Sequence, residues 1–463
     1  MSDPTLRREH LERIRVAALR AVEPASAVSR AFSREGDRLR AGRSTLPLAP
    51  SSRVRLVAAG KAAAAMTEAA ASVLGERLER GVLVTKRGHL AGRTLPPAVA
   101  AFEAGHPVPD EESRAGVDAI EALLSGGREG DVAVVLLSGG ASALLADPAE
   151  PLSLADLQAT TGLLLRSGAS IVELNAVRKH LSRLKGGGLA RLAAPATVVA
   201  FVLSDVVGDA LDVIASGPAA PDPTTFADAW RVVEGRGLGG ALPAAVTSRL
   251  RAGVEGRLPE TPKPGDPLFD RVSCVVVGSN RLAALAAAHE ARELGYASLL
   301  LTTRVEGEAR EVARVVAALG RGVLAEGDPL PSPACLVLGG ETTVTVRGTG
   351  RGGRNQELAL AAALALDGVD GVAVMALATD GSDGPTDSSG AIVDGTTAAS
   401  IRAAGLDPVA ALAGNDAYPA LEAAGAQLKT GPTGTNVNDL YVVLAGSPSE
   451  ARETRSFPSR LPR

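Results

Sequence analysis

Residues 56–66 read LVAAGKAAAAM. An apolar run ends at Gly60, and Lys61 opens an alanine-rich stretch suited to a helix. The same alternation recurs down the chain. RVRLVAAG (53–60), GVLVTK (81–86), VAVVLLSGG (132–140) and TVVAFVLSD (197–205) are short β-rich runs. Ala/Leu/Glu/Arg-rich helical stretches, such as 61–75, 112–125 and 153–167, lie between them. Apolar strands without clean polar alternation predict a parallel sheet covered on both faces. Strand–helix alternation predicts a three-layer α/β fold. Residues 1–260 are therefore read as a Rossmann-like αβα sandwich with a mainly parallel sheet, entered through a long amphipathic helix over Leu6–Phe32.

GRLPETPKPGDPLFD (256–270) carries four prolines and reads as a linker. Alternation then resumes with VSCVVVGSN (272–280), ASLLLTT (297–303), CLVLGG (335–340), TTVTVR (342–347), VAVMALATD (372–380) and DLYVVLAG (439–446). A second α/β domain is expected over 265–446, followed by a frayed tail at 447–463.

The totals agree with two soluble domains. A chain of 463 residues exceeds one ordinary core, and 46% hydrophobic with 22% charged residues is normal globular usage. A net charge of −4 and 2% aromatics argue against nucleic-acid binding, which needs basic surface and stacking platforms. No apolar run approaches a membrane span, and the charged start MSDPTLRREH lacks a signal peptide's apolar core. Cys274 and Cys335 lie in apolar runs and read as buried thiols, so the expected location is the cytoplasm.

Several motifs admit both a plain and a chemical reading. Lys61 is either a solvated lysine or the ligand of an anion at a helix start. A Walker A loop is excluded, because Arg55 and Ala62 stand where Gly and Ser/Thr belong. LSGGASALL (137–145) is either a tight turn or an anion nest. In the latter the N–H groups of Gly139 and Gly140 and the hydroxyls of Ser138 and Ser142 face a ligand. Leu144 rules out the G-x-S-x-G elbow. The run Arg178, Lys179, His180, Arg183, Lys185 is either a solvated face or an anion site. Asp205 follows a strand and suits a hydroxyl or Mg²⁺, as do Asp380 and Asp383, unless Asp205 is just a cap and the other two belong to a turn-rich loop. Asn436 and Asn438 either contact substrate or shape a turn.

VTVRGTGRGGRNQE (344–357) contains G-x-G-x-x-G at Gly348, Gly350 and Gly353. Arg351 and Arg354 crowd the approach such glycines exist to provide, and they read instead as bidentate anion ligands. Lys61, the 138–142 loop, Asp205, Arg354 and Asp380 are all expected at strand C-terminal ends, where open α/β sheets bind ligands. Cations, carboxylates and no nucleophile motif together describe phosphoryl transfer.

AAGKAA, EAGHPVPDE, LSGGASALL, LNAVRKHLSRLKGGGLA, LSDVVGD, IASGP, GGETTV, GRGGRNQE, ATDGSDG and TGPTGTNVNDL, in this order, closely resemble the glycerate 2-kinase family, the class II glycerate kinases with a C-terminal MOFRL domain. The resemblance implies transfer from ATP, with Mg²⁺, to the 2-hydroxyl of D-glycerate, giving 2-phosphoglycerate. It also implies two α/β domains with the active site in the cleft between them, and essential roles for Lys61 and Arg354. Beside it stand our own assignments. Ser138, Gly139, Gly140, Ser142 and Lys185 are expected to bind phosphate, and Arg351, Asn436 and Asn438 the substrate. Asp205 is expected to orient the hydroxyl, and Asp380 or Asp383 to hold the metal. An NAD(P)-dependent hydroxypyruvate reductase and a non-enzymatic anion sensor are the rival readings. The position phosphorylated, the nucleotide preference and a homodimeric state stay open.

Overall fold

A computed structural model describes residues 4–448, and the end of the expected tail lies outside them. The chain forms two compact units, residues 24–277, and residues up to 23 together with those from 278 onward. The second begins with α1 (Pro4–Ala21). The first runs through α2 (Pro24–Ala31), β1 (Phe32–Glu35), β2 (Arg38–Ala41), β3 (Ser44–Pro47), β4 (Val54–Ala59), α3 (Ala63–Leu74), β5 (Leu78–Lys86), β6 (Val99–Ala104), α4 (Glu111–Leu124) and β7 (Val132–Leu137). It continues through α5 (Ala141–Leu144), α6 (Leu154–Arg166), α7 (Ile171–His180), α8 (Gly188–Ala193), β8 (Thr197–Leu203), α9 (Phe226–Gly235), α10 (Ala244–Val254) and β9 (Val272–Gly278).

The sheet of the first unit has the order β6-β5-β4-β7-β8-β9. Strands β4 to β8 pair in parallel, with Ala59 opposite both Val84 and Leu137. Chain order runs outward from β4 through β5 and β6, then crosses to β7 and onward. This is the doubly wound 3-2-1-4-5-6 order, and the crevice beyond the ends of β4 and β7 is its switch point. Val57, Val84, Val135 and Ala200 are buried in one core with Val117 and Ile120 of α4. The intervening Leu56, Leu83, Val134 and Phe201 are equally buried on the other face, where the Phe32 and Phe201 rings stand 5.0 Å apart. Helices α6, α7, α9 and α10 share a separate core around Leu164, Val177, Phe226 and Leu250. Three of them start at capping boxes, Ser153–Asp156, Ser170–Glu173 and Thr225–Asp228, which satisfy amide groups the first turn leaves open.

The second unit continues with α11 (Asn280–Glu293), β10 (Ala297–Val305), α12 (Ala309–Ala325), β11 (Ala334–Gly340), α13 (Arg354–Ala365), β12 (Val372–Ala378), β13 (Gly390–Asp394), α14 (Thr397–Ala403), α15 (Pro408–Ala413), α16 (Ala417–Ala423), β14 (Gln427–Leu428) and β15 (Asp439–Ala445). Its sheet order is β10-β11-β15-β12-β13-β14. β15 runs antiparallel to both neighbours, so Asp439 lies opposite Gly340 at the end of β11 and Ala378 at the end of β12.

Four local expectations change. The helix expected over Leu6–Phe32 breaks at Glu23–Pro24. Its first part buries Leu11, Ile14 and Ala18, packs against α11 and counts with the second unit. Residues 342–347 form no strand, only a bridge between Thr343 and Glu308, because β15 already occupies that side of β11. The proline-rich 256–270 stretch is tied down rather than free. Asp222 N–H donates to the Pro262 carbonyl at 2.8 Å, and the Phe226 N–H to the Glu260 carboxylate at 3.0 Å. The ribbon β1–β3 and the strand β6 were not expected. Among the described residues no helix is long and apolar enough to cross a membrane.

Candidate active site

The loops after β4 and β7 are laced together. Lys61 N–H donates to the Gly139 carbonyl at 2.9 Å, and Ala62 N–H to the Ser138 hydroxyl at 3.0 Å. Gly60 makes this possible. At φ +126° it has no room for a side chain, since a Cβ would lie 2.2 Å from Ser138 Oγ. Gly139 is constrained likewise: its Cβ would stand 2.3 Å from Asp205 Oδ2, which places that carboxylate against the loop. A Cβ on Gly140 would meet His106 Nε2 at 3.0 Å and Lys61 Cγ at 3.5 Å. Lys61, Ser138, Gly139, Gly140 and Asp205 therefore come together at the switch point, as expected from the strand ends.

His106 joins them, though sequence reasoning had not singled it out. Burial, then the charges of Lys61 and Lys86 and the His89 imidazole, hold its pKa below the ordinary value. His89 Nδ1 is hydrogen-bonded to the Lys61 carbonyl at 2.9 Å. Among the described residues no carboxylate pairs with the Lys61 ammonium, and no acceptor engages the N–H groups of Gly139 or Gly140. A cation beside two open amides is a site built for an anion.

Lys185 is placed otherwise. It is 5% exposed, and its ammonium binds the fully buried Asp147 at 2.6 Å and the Leu145 carbonyl. Ser182 and Leu184 hold the other Asp147 oxygen. A buried carboxylate needs such a partner, which corrects the expected phosphate role. Ser142 points to Ser216, Oγ to Oγ 2.8 Å, not into the loop.

In the second unit Arg354 grips the buried Asp439 through Nε at 2.5 Å and Nη2 at 3.0 Å, while Nη1 meets Glu341 at 2.9 Å. Burial pulls the guanidinium pKa down, and these carboxylates more than offset it. The mouth of α13 already holds its anion. Asp383 Oδ1 accepts from Asn355 N–H at 3.1 Å and Oδ2 from Gln356 N–H at 2.8 Å, and both side-chain amides add bonds. With both oxygens so engaged, Asp383 is a helix cap, and the metal role expected of it finds no support in this geometry. Among the described residues the Asp380 carboxylate accepts only from Ser382 N–H, at 3.0 Å. Among the described residues no group of three His, Cys, Asp or Glu side chains gathers as a metal cluster.

The G-x-G-x-x-G glycines make room for protein. A Cβ on Gly348 would meet the Gly414 carbonyl at 2.1 Å, on Gly350 Asp416 Cβ at 2.5 Å, and on Gly353 the Asp383 backbone at 2.4 Å. Nothing is left for a pyrophosphate, which removes the main support for a nicotinamide enzyme. Arg351 stacks over Tyr418, 4.1 Å from the ring centroid. Asn436 and Asn438 build a turn: Asn438, at φ +64°, donates its N–H to Asn436 Oδ1 at 3.1 Å, and its carbonyl accepts from the Thr379 hydroxyl at 2.6 Å.

Comparison with known proteins finds two family matches along the chain. A family described as a domain of unknown function (DUF4147) matches residues 10–251, and the MOFRL family matches 334–439. The D-glycerate 2-kinase of Thermotoga maritima is 47% identical over 88% of this chain and 94% of that protein. The glycerate 2-kinase of Pyrococcus horikoshii is 41% identical over 93% and 95%. A crystal structure of glycerate kinase from Thermotoga maritima superposes with a TM-score of 0.85 at 43% identity, covering 96% of this chain and all of that one. With two such relatives matched over nearly their whole length, the chain belongs to the glycerate 2-kinase family.

Proposed function

We propose that this protein transfers the γ-phosphoryl group of ATP to the 2-hydroxyl of D-glycerate, giving 2-phosphoglycerate. The observation that carries the reading is the Lys61 ammonium, unpaired among the described residues, beside the open amides of Gly139 and Gly140 at the switch point. Relatives named D-glycerate 2-kinase and glycerate 2-kinase supply the substrate class.

Phosphoryl transfer needs positioning and charge neutralisation more than covalent help. Lys61 and the two amides oppose the charge that develops on the transferring group. Asp205, against Gly139, orients the acceptor hydroxyl. His106, held toward its neutral form, stands ready to accept a hydrogen bond at the same place. Mg²⁺ neutralises nucleotide phosphate oxygens when bound, and such ions commonly take one or two protein carboxylates. Asp380 is the carboxylate we assign to it, since one of its oxygens has no partner among the described residues.

An ADP-release assay with D-glycerate, run beside a nicotinamide absorbance assay, tests the reaction class. Phosphorus NMR of the product tests the position. ADP release with a 3-phosphorylated product would sink the regiochemistry, and hydride transfer without ADP would sink the kinase reading.

A further inference from the structure

Arg178 is the exception in its own basic run. Lys179 pairs with Asp222 at 3.2 Å, His180 with Glu260 at 3.2 Å, Arg183 with Glu121 at 2.7 Å and Lys185 with Asp147 at 2.6 Å. Among the described residues no hydrogen bond or ion pair engages the Arg178 guanidinium. Burial, with no carboxylate to offset it, pulls its pKa down to about 10. A largely desolvated cation without a partner is costly to keep unless something else pairs with it.

Its surroundings lead to the switch point. Asn175 lies one turn earlier on the same face of α7. Asn175 Oδ1 accepts the Ser216 hydroxyl proton at 2.9 Å, so Ser142 must donate to Ser216 at 2.8 Å. Ser142 sits three residues beyond Gly139, whose carbonyl holds Lys61. Ala215 and Ser216 are kept at φ 53° and 61°, a conformation non-glycine residues rarely adopt and one often found at ligand sites. Lys61 thus borders the loop directly, and Arg178 stands one helical turn from the Asn175 side chain that is linked to the same loop through Ser216 and Ser142. That arrangement fits a guest with an anionic end and a second end that receives an anion.

We propose that Arg178 grips the substrate carboxylate as a bidentate pair, with Asn175, Ser216 and Ser142 fixing α7 against the Ser138–Ser142 loop. A planar guanidinium fork matches a carboxylate. The proposal rests on the kinase reading and names the residue that selects its acid substrate.

The test uses the full chain. In Arg178→Gln, D-glycerate affinity by calorimetry without nucleotide should weaken about 100-fold, the size expected for losing hydrogen bonds to a charged group. KM for ATP should stay unchanged, and Arg178→Lys should recover part of the loss. Wild type should prefer D-glycerate over its uncharged amide, glyceramide, and Arg178→Gln should erase that preference. A merely structural arginine would weaken both compounds alike, and that result overturns the proposal. So would unchanged D-glycerate affinity, or a rise confined to KM for ATP. D-glycerate binding to wild type without ADP release would overturn the kinase reading alone. No binding at all would overturn both.

Discussion

Arg354 and Asp439 form a two-pronged ion pair, 2.5 and 3.0 Å, with the carboxylate fully buried and the guanidinium one-third exposed. The arginine was expected to be a free hand for an incoming anion and instead anchors the first residue of β15. Removing it strips the buried Asp439 carboxyl of its counter-ion, so the group must either carry an uncompensated charge or take up a proton inside the second unit. Arg354→Ala should therefore lose about 2–3 kcal/mol of stability in urea, below the fully buried limit because solvent reaches the guanidinium. Loss of turnover with an unchanged urea midpoint would contradict this and return Arg354 to a purely chemical role.

The same pair sets a pH dependence. Burial pushes the Asp439 carboxyl up to about 6, against the pull of Arg354. In the unfolded chain it titrates near 4. Between those values the folded protein keeps a proton that the unfolded chain releases. The stability this site contributes is thus present below about pH 4 and lost as pH rises through about 6, at no more than about 1.4 kcal/mol per pH unit. Urea titrations of wild type and Asp439→Asn check it. Their stability difference should fall between pH 4 and 6 and then level off, and a difference that climbs over that range would refute it.

Asp383 separates a cap from a metal ligand. Asp383→Ala orphans the Asn355 and Gln356 N–H groups at the buried start of α13, at a cost of about 1–2 kcal/mol. Activity measured against Mg²⁺ concentration should keep its midpoint once folded protein is compared. A midpoint moved tenfold upward and restored by excess Mg²⁺ would make it a ligand after all.

What the sequence made legible was the parallel sheet and its edge. β7 is buried on both faces, as are β4 apart from Arg55 and β8 beyond Thr197, so their runs are almost wholly apolar, and the residues ending them fall at the switch point by construction. β6 was missed because this edge strand is only partly buried and carries Glu103 among its few residues. The TTVTVR stretch has strand-like composition and no free partner, a fact that depends on β15 arriving from almost a hundred residues later. The caps and pairs were illegible for the same reason. Asp383 reaches α13 from 28 residues away, and Lys185 finds Asp147 across 38. His106 sits in a proline-containing loop with no period to betray it, and only the fold lays it beside Gly140.

Lys61 and His106 give the last prediction, because they can be read through each other. The Lys61 ammonium has no partner among the described residues, so Lys61→Met should leave stability within about 0.5 kcal/mol of wild type. Turnover should nevertheless fall by about a thousandfold or more, the scale set by removing a cation from a phosphoryl-transfer transition state. His106 reports independently of activity. Burial first, and Lys61 next, depress its pKa, so its imidazole should titrate below the ordinary value of about 6.5 in wild type. Deleting the Lys61 charge removes one of those causes while burial persists, so in Lys61→Met the midpoint should rise without reaching that of an exposed histidine. Nitrogen-15 NMR of the His106 ring, followed from pH 5 to 8, reads both midpoints directly. An identical midpoint in the two proteins would mean that Lys61 does not face His106, and the cationic pocket at the switch point would fail with it.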